Sequence, residues 1–184
     1  LGQIGVEDNQ NNRFRLFTKE LHGLASDFEV DPSSCGNPEH FAEYIRFCAI
    51  SDNKAGRSVT HVLLNKEKEV IVGYISLKAS SLLTEIEVRG KQVWTGEPAL
   101  EIAELAVHKN YERQGVGRAL IDIAITVATQ TNDIILGIRH LVLAADPKAV
   151  PFYERMGFSP IRDYFHIPQD AANAKCVPMF MQLY

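Results

Sequence analysis

The stretch from Glu101 to Leu120, EIAELAVHKNYERQGVGRAL, decides the fold of this chain. A run typical of a buried strand leads through a short polar loop into Gly115-Val116-Gly117 and then directly into an apolar helix. Glycines at the entrance of a helix allow backbone N–H groups to converge, because no Cβ stands in the way. The N-terminus of a helix also carries about half a positive charge. The stretch therefore predicts an anion site suited to a phosphate or pyrophosphate.

Two common phosphate loops are excluded by the residues themselves. A Walker A loop needs Gly-Lys followed by Ser or Thr, which this loop lacks. A dinucleotide-binding fingerprint needs a third glycine where Leu120 stands, and it follows an early strand, whereas this loop lies past mid-chain. A glycine-eased turn without any ligand stays open at this point.

Strands and helices alternate beyond this stretch. Strands are predicted over Ala99–Val107, Ile138–Ala145, Phe158–His166 and Val177–Tyr184, and helices over Gly115–Gln130 and Ala149–Met156. Such alternation predicts an α/β protein with a partly parallel sheet that is covered by helices.

The first half of the chain is predicted to begin with a strand over Phe14–Leu21, followed by a turn-rich stretch over 26–38. A helix opens at Pro38 and ends at Gly56, and two strands connected like a hairpin follow over Val59–Leu64 and Val70–Leu77. The helix has an apolar stripe formed by Phe41, Tyr44, Ile45 and Cys48. Residues 80–98 are predicted to form a small inserted ribbon that turns at Arg89-Gly90-Lys91.

Composition and charge exclude several classes of protein. Of the 184 residues, 46% are hydrophobic and 23% are charged, which excludes disordered, collagen-like and coiled-coil chains. The net charge is −4, which argues against a role built on contacts to nucleic-acid backbones. The three cysteines and six histidines show no spacing typical of a disulfide framework or a metal site. No apolar run has the roughly 18 residues that span a bilayer, so we expect a cytoplasmic protein without a membrane partner.

Two blocks resemble the motifs of one superfamily. Residues 101–120 resemble motif A of the GCN5-related N-acetyltransferases (GNAT), in which a Q/R-x-x-G-x-G/A loop holds the pyrophosphate of coenzyme A. The corresponding residues here run from Glu112 to Gly117, and Glu112 departs from the pattern at its first position. Leu141–Phe158 is similar to motif B, and residues 152–158 (FYERMGF) match its F-Y-x-x-x-G-F pattern in full.

The resemblance implies a single GNAT-like domain over residues 1–184. Its mixed sheet would have six to seven strands, helices on both faces and a splayed strand pair at the cofactor groove. Residues 14–98 would form the acceptor side and residues 99–184 the acetyl-CoA side. Acetyl-CoA would be the acetyl donor. The implied contacts with it come from Leu105, Ala106, Val107, Arg113, Gln114, Gly115, Val116, Gly117, Arg118, Ala119 and Asp146.

The resemblance also implies catalytic roles. Glu101 lies four residues before Leu105, where histone acetyltransferases of the superfamily carry a general base, and Glu104 is the second choice. Tyr153 resembles the superfamily's general acid. Structural alternatives stay open, namely an ion pair for each glutamate, a packing role for Tyr153 and a helix cap at Asp146.

The expected acceptor is a primary amine of a small molecule or peptide. Cys35–Phe41 and residues 73–77 (GYISL) are similar to toxin-type acetyltransferases that act on aminoacyl-tRNA. Charge disfavours tRNA, because residues 1–57 carry six Lys and Arg against nine Asp and Glu. A non-catalytic module that binds acyl-CoA is the third alternative, and a homodimer is compatible with any of these.

Overall fold

The computed structural model describes residues 12–161, 165–166 and 175–184. The strands in this part of the chain are β1 (Asn12–Leu16), β2 (Val59–Asn65), β3 (Ile71–Val88), β4 (Lys91–Val107), β5 (His140–Ala145), β6 (Ser159–Pro160), β7 (Phe165–His166) and β8 (Val177–Gln182). The α-helices are α1 (Pro38–Glu43), α2 (Ala49–Ala55), α3 (Val116–Ile134) and α4 (Val150–Arg155). A π-helical turn, Tyr44–Cys48, joins α1 to α2, and short 3₁₀ helices cover His22–Ala25 and Lys109–Tyr111.

The chain divides into two compact units that β3 and β4 both enter. The first unit comprises residues 1–78 and 102–127, and the second comprises residues 79–101 and 128–184. The strand order is β1-β2-β3-β4 in the first unit and β7-β3-β4-β5-β8-β6 in the second. The predicted mixed α/β fold is confirmed, with seven strands in the ordered path of the sheet and β7 beside β3. The single-domain boundaries and the splayed strand pair stay predictions.

The core of the first unit lies between its helices and its strands. Residues 71–77 of β3 are all buried, as expected for a strand that is covered on both faces. The phenol of Tyr74 donates a hydrogen bond to the carbonyl oxygen of Phe41 at 2.9 Å, which ties α1 to β3. This cluster of buried side chains comprises Phe17, Ala25, Phe28, Tyr44, Ile45, Ala49, Val62, Ile71, Tyr74 and Ala106.

The predicted helix from Pro38 to Gly56 is not regular throughout, and the apolar stripe predicted on it does not extend to Cys48. The N–H of Ala49 bonds to the carbonyl of Tyr44, five residues earlier, so the chain makes a π-helical turn. This wider turn shifts the phase of the helix. Tyr44 and Ile45 are therefore buried, whereas Cys48 is exposed and Phe47 is 73% exposed. The predicted end at Gly56 is confirmed, with a left-handed φ of +66°.

The ribbon predicted over residues 80–98 is continuous with the strands on either side of it. It is the outer part of β3 and β4, which form one long hairpin. Its turn is the predicted one, because Arg89 and Gly90 both have positive φ, as a two-residue type I′ turn requires. Five large apolar side chains on this part of the hairpin are 41–58% exposed, namely Leu83, Ile86, Val88, Val93 and Trp94.

Two predicted strands need correction. The first strand ends at Leu16, and the chain then turns into the 3₁₀ helix His22–Ala25. The strand predicted over Phe158–His166 is two short strands, β6 and β7, and residues 162–164 between them lie outside the described residues.

Among the described helices, none combines the length and the apolar character that crossing a membrane would require.

The second unit has its own small core and a buried histidine that contacts a glutamate. Leu82, Ala99 and Val142 are buried together, with Ile161 and Phe180 packed against them. His140 is only 2% exposed, and its Nε2 lies 2.5 Å from a carboxylate oxygen of Glu97. The pair connects the beginning of β5 with β4 inside this unit.

Candidate active site

The last residues of β4 lead into the loop that the sequence singled out. Ala106 is buried in the core of the first unit, and its neighbours Leu105 and Val107 are half-buried. Two backbone hydrogen bonds hold the start of the loop, from the N–H of His108 to Val72 at 2.9 Å and from that of Lys109 to Glu29 at 2.8 Å. These bonds attach the end of β4 to β3 and to the segment that precedes α1.

The glycine loop, residues 112–117, has the backbone shape of an anion cradle. Arg113 has a φ of +58° and Gly115 a φ of +83°, so the chain turns twice through the left-handed region. Helix α3 begins at Val116, and its first turn closes with the bond from the Ala119 N–H to the Gly115 carbonyl at 3.0 Å. The N–H groups that precede this bond are not used within the helix and point out of its N-terminus. The loop can therefore bind a phosphate group through its backbone.

Gly73 on β3 is a site residue that sequence reasoning missed. A Cβ built at Gly73 would lie 2.9 Å from Val116 Cγ1, 3.1 Å from the Ala106 carbonyl oxygen and 3.1 Å from Leu120 Cδ1. Only glycine therefore lets the first turn of α3 lie so close to β3. A glycine inside a run of β-branched and apolar residues was the signal, because such a glycine often marks a close approach.

The departure of Glu112 from the motif has a structural partner. The hydroxyl of Ser34 donates a hydrogen bond to a carboxylate oxygen of Glu112 at 2.9 Å. Ser34 belongs to the turn-rich segment before α1, 78 residues earlier in the sequence. Glu112 therefore stabilises the position of the glycine loop. The amide of Gln114 also closes the loop locally, by donating to the Asn110 carbonyl at 3.0 Å.

Glu104 is the carboxylate in the first unit that lies close to the strand end. Its side chain is 16% exposed, and Oε1 lies 3.0 Å from Nε2 of His40, which is on α1 and half exposed. Burial raises the pKa of Glu104, while the charge of His40, its hydrogen bond and Lys78 oppose that rise. A buried carboxylate that contacts a histidine can hold the imidazole in one orientation and take part in proton transfer.

The other predicted catalytic residues lie in the second unit. Glu101 is half-buried on β4. Tyr153 on α4 is 8% exposed, and its ring makes edge contacts with Phe152 and Phe158 at centroid distances of 5.1 and 5.7 Å. The ring is thus packed, as predicted from its apolar helix face.

Asp146 has a structural contact of its own. Its carboxylate accepts the N–H of Lys148 at 2.9 Å, and its carbonyl accepts the N–H of Ala149 at 2.8 Å. These bonds form a turn before α4. The helix cap left open at Asp146 was wrong, because α4 begins at Val150 with Ala149 as its N-cap residue and has no side-chain cap bond.

The strand end, the glycine loop and the N-terminus of α3 form an arrangement whose backbone amides can bind the phosphate groups of a cofactor. The model of the acetyltransferase (GNAT) family matches residues 21–158, which is more than half of the chain. The chain belongs to this family and is an acyltransferase with acetyl-CoA as its acetyl donor.

Solved structures of bacterial toxins have a similar fold. A tyrosine-to-phenylalanine variant of KacT has 17% identity and a TM-score of 0.73, over 95% of this chain and 96% of that chain. AtaT complexed with acetyl-methionyl-tRNAfMet has 19% identity and a TM-score of 0.62, over 89% and 98%. A tyrosine-to-phenylalanine variant of AtaT, bound to the C-terminus of the antitoxin AtaR and acetyl-CoA, has 19% identity and a TM-score of 0.65, over 95% and 94%. At sequence identities of 17–19%, these similarities show that this chain shares the fold of those proteins and no more.

Proposed function

We propose that this chain transfers the acetyl group of acetyl-CoA directly to a primary amine. Such a transfer needs a group that accepts a proton, a donor for the acetyl oxygen, an acid for the leaving thiolate, and alignment of the two partners. The observation that carries the proposal is the carboxylate of Glu104, which is 16% exposed, contacts His40 and lies directly before the strand end that leads into the glycine loop.

The cofactor would lie along the strand end and the glycine loop. The backbone of residues 105–107 would bind the pantetheine arm, with the amide of Leu105 donating to the acetyl oxygen. The N–H groups from Gly115 to Arg118 would bind the pyrophosphate, whereas the N–H of Ala119 already bonds to the Gly115 carbonyl. Arg113 and Arg118 can add positive charge. Both arginines have exposed side chains, which supports this assignment. Asp146 is a weaker candidate, since its carboxylate already accepts a backbone N–H.

Tyr153 is our candidate for the acid that protonates the thiolate. The packed ring and the F-Y-x-x-x-G-F match support it. Tyr153→Phe keeps the ring, so we expect turnover to fall by about 10–10³-fold with acetyl-CoA affinity and melting temperature little changed. Wild-type turnover with saturating acceptor, when chemistry limits the rate, would contradict this role. A large loss of stability would point to a structural hydrogen bond of the phenol.

A second candidate function is acetylation of the amino group of an aminoacyl-tRNA. It is favoured by the fold neighbours, among which AtaT was solved with acetyl-methionyl-tRNAfMet, and by the similarity at Cys35–Phe41. Charge opposes it, since acidic residues outnumber basic ones over residues 1–57. In addition, the guanidinium of Arg46 is engaged within the fold, where it donates to the Phe28 carbonyl at 2.7 Å.

One assay tests the function and separates the candidates. The protein would be incubated with acetyl-CoA and, separately, with aminoacylated tRNA, a peptide with a free N-terminus and a polyamine. Thiol release and the mass of the product would be followed. Deacylated tRNA is the matched control, because it keeps the phosphate backbone and lacks the amine. Binding of acetyl-CoA without thiol release for any amine would instead indicate a module that binds acyl-CoA without turnover.

A further inference from the structure

A histidine from the N-terminal half contacts the buried carboxylate of β4. His40 is the third residue of α1, and its backbone N–H bonds to the side chain of the N-cap residue Asn37 at 3.4 Å. Its Nε2 lies 3.0 Å from Glu104 Oε1, across 64 residues of sequence. The helix start and the carboxylate together fix the position of the imidazole.

We propose that His40 is the general base that takes the proton from the acceptor's ammonium group, and that Glu104 positions its ring. The proposal rests on the proposed acetyl transfer and names the residue that would act as its general base. It changes the role of Glu104 from a base in its own right to a positioning residue.

The chemistry of the contact sets the tautomer of His40. An ionised carboxylate only accepts hydrogen bonds, so neutral His40 must carry its proton on Nε2 and donate it to Glu104. The lone pair that can accept a proton is then on Nδ1. The side chain of His40 is 50% exposed, whereas that of Glu104 is 16% exposed. An incoming amine therefore has better access to the imidazole than to the carboxylate.

The surroundings of Glu104 favour a charged partner. The ionisable groups that act on it are His40 of α1, Lys78 of β3 and Asp52 of α2. Burial raises the pKa of Glu104, and Lys78 and a protonated His40 oppose that rise. Burial, and secondly the charge of Glu104, raises the pKa of the Tyr74 phenol, which therefore stays neutral. An imidazolium at His40 would be stabilised by the Glu104 carboxylate at the moment it forms.

The position of the pair fits the reacting atoms. Glu104 directly precedes Leu105, and consecutive Cα atoms lie about 3.8 Å apart. If the Leu105 amide donates to the acetyl oxygen, the His40–Glu104 pair is attached to the strand one residue before the group that binds the reacting carbonyl. The ammonium R–NH₃⁺ gives one proton to Nδ1 and becomes R–NH₂. The free amine attacks the acetyl carbon, the C–S bond breaks, and the second proton of the nitrogen ends on the thiolate. The products are the amide, coenzyme A as thiol, and protonated His40, which releases its proton to solvent.

Kinetics of two variants test the base with the best amine of the acceptor assay. His40→Gln keeps a side chain that can donate to Glu104 but cannot serve as a base, so we expect kcat/KM to fall by about 10²–10³-fold near neutral pH. The loss should shrink at high pH, where the amine is already neutral. The matched control is Glu39→Gln, an exposed residue of the same helix, which should leave kcat/KM within about twofold. In His40→Ala, added imidazole should restore part of the rate.

The outcomes separate a base from a structural contact. A pH-independent loss in His40→Gln without imidazole rescue in His40→Ala would overturn the proposal and leave the pair as a link between α1 and β4. NMR of the imidazole nitrogens adds a test that needs no acceptor, since the proposal requires the proton of neutral His40 on Nε2. A proton on Nδ1 would overturn it even if thiol release is found. If no amine supports thiol release by the wild-type protein, the proposed function itself fails.

Discussion

The two ends of β4 differ in nearly every physical respect, although they belong to one continuous strand. At its beginning, Val93 and Trp94 are 43% and 58% exposed. At its end, Ile102 and Ala106 are 4% and 5% exposed, and the carboxylate of Glu104 contacts His40. Apolar residues occur at both ends without a regular alternation, so the strand pattern alone does not distinguish the two ends. Packing of other elements against the strand makes the difference, and the groups that can do chemistry lie where that packing is closest.

The largest effect we expect distinguishes the two glutamates of β4. Glu104→Gln should lower the acetylation rate by up to about 10²–10³-fold, no more than His40→Gln, because the group that orients the base loses its charge. Glu101→Gln should lower it less. The measurement is kcat/KM with acetyl-CoA affinity determined in parallel. A larger loss in Glu101→Gln would reverse the order and support the base expected from the family resemblance.

A second substitution tests the glycine loop. Gly117→Val should weaken acetyl-CoA binding by at least about tenfold, because a branched Cβ keeps the backbone amides from converging on the pyrophosphate. Calorimetric titration measures the affinity, and circular dichroism confirms the fold. Gly23→Val is the matched control, since a Cβ at Gly23 has nothing within 4 Å. Unchanged affinity in a folded Gly117→Val protein would rule out this pyrophosphate site.

Two strand glycines compare the ends of the hairpin directly. Gly73→Ala should cost about 1–3 kcal/mol of unfolding free energy, because its Cβ would lie 2.9–3.1 Å from α3 side chains and the Ala106 carbonyl. Gly96→Ala should change it by about 0.5 kcal/mol or less, since its Cβ would make ordinary contacts of 3.6 Å or more with Ser81. Urea unfolding of both proteins measures the difference. Equal losses would mean that the close approach at Gly73 relaxes without cost.

The smallest effect is expected at the exposed end of β4. Trp94→Thr should leave the unfolding free energy within about 0.5 kcal/mol, because the indole is more than half exposed. It should also leave acetyl-CoA affinity unchanged. A loss of activity with one acceptor, at unchanged stability, would show that this end of the strand contributes to acceptor binding and would break the contrast between the two ends.

Local chemistry predicted the parts of the site that depend on a few adjacent residues. The start of α3 at Val116 lies one residue from the predicted start, because glycines beside an apolar periodic run mark a helix entrance. The turn at Arg89-Gly90 was also predicted, since such a turn needs residues that accept positive φ.

Contacts between segments that are distant in the sequence could not be predicted from local residue patterns. His40 and Glu104 are separated by 64 residues, and Ser34 and Glu112 by 78. Nothing in either segment alone indicates its partner. The π-helical turn was not predicted either, because the apolar spacing over 41–48 fits a regular helix and only packing selects the wider turn.

The π-helical turn has a consequence for how this chain is aligned with its relatives. Such a turn holds one residue more than an α-helical turn over nearly the same length. A relative with an uninterrupted helix here would need a one-residue gap in the middle of that helix to match this chain on both sides of Tyr44–Cys48. Without the gap, the residues on one side would be compared with the wrong positions. Whether a relative has a counterpart of His40 is therefore better decided by superposing α1 than by reading aligned letters.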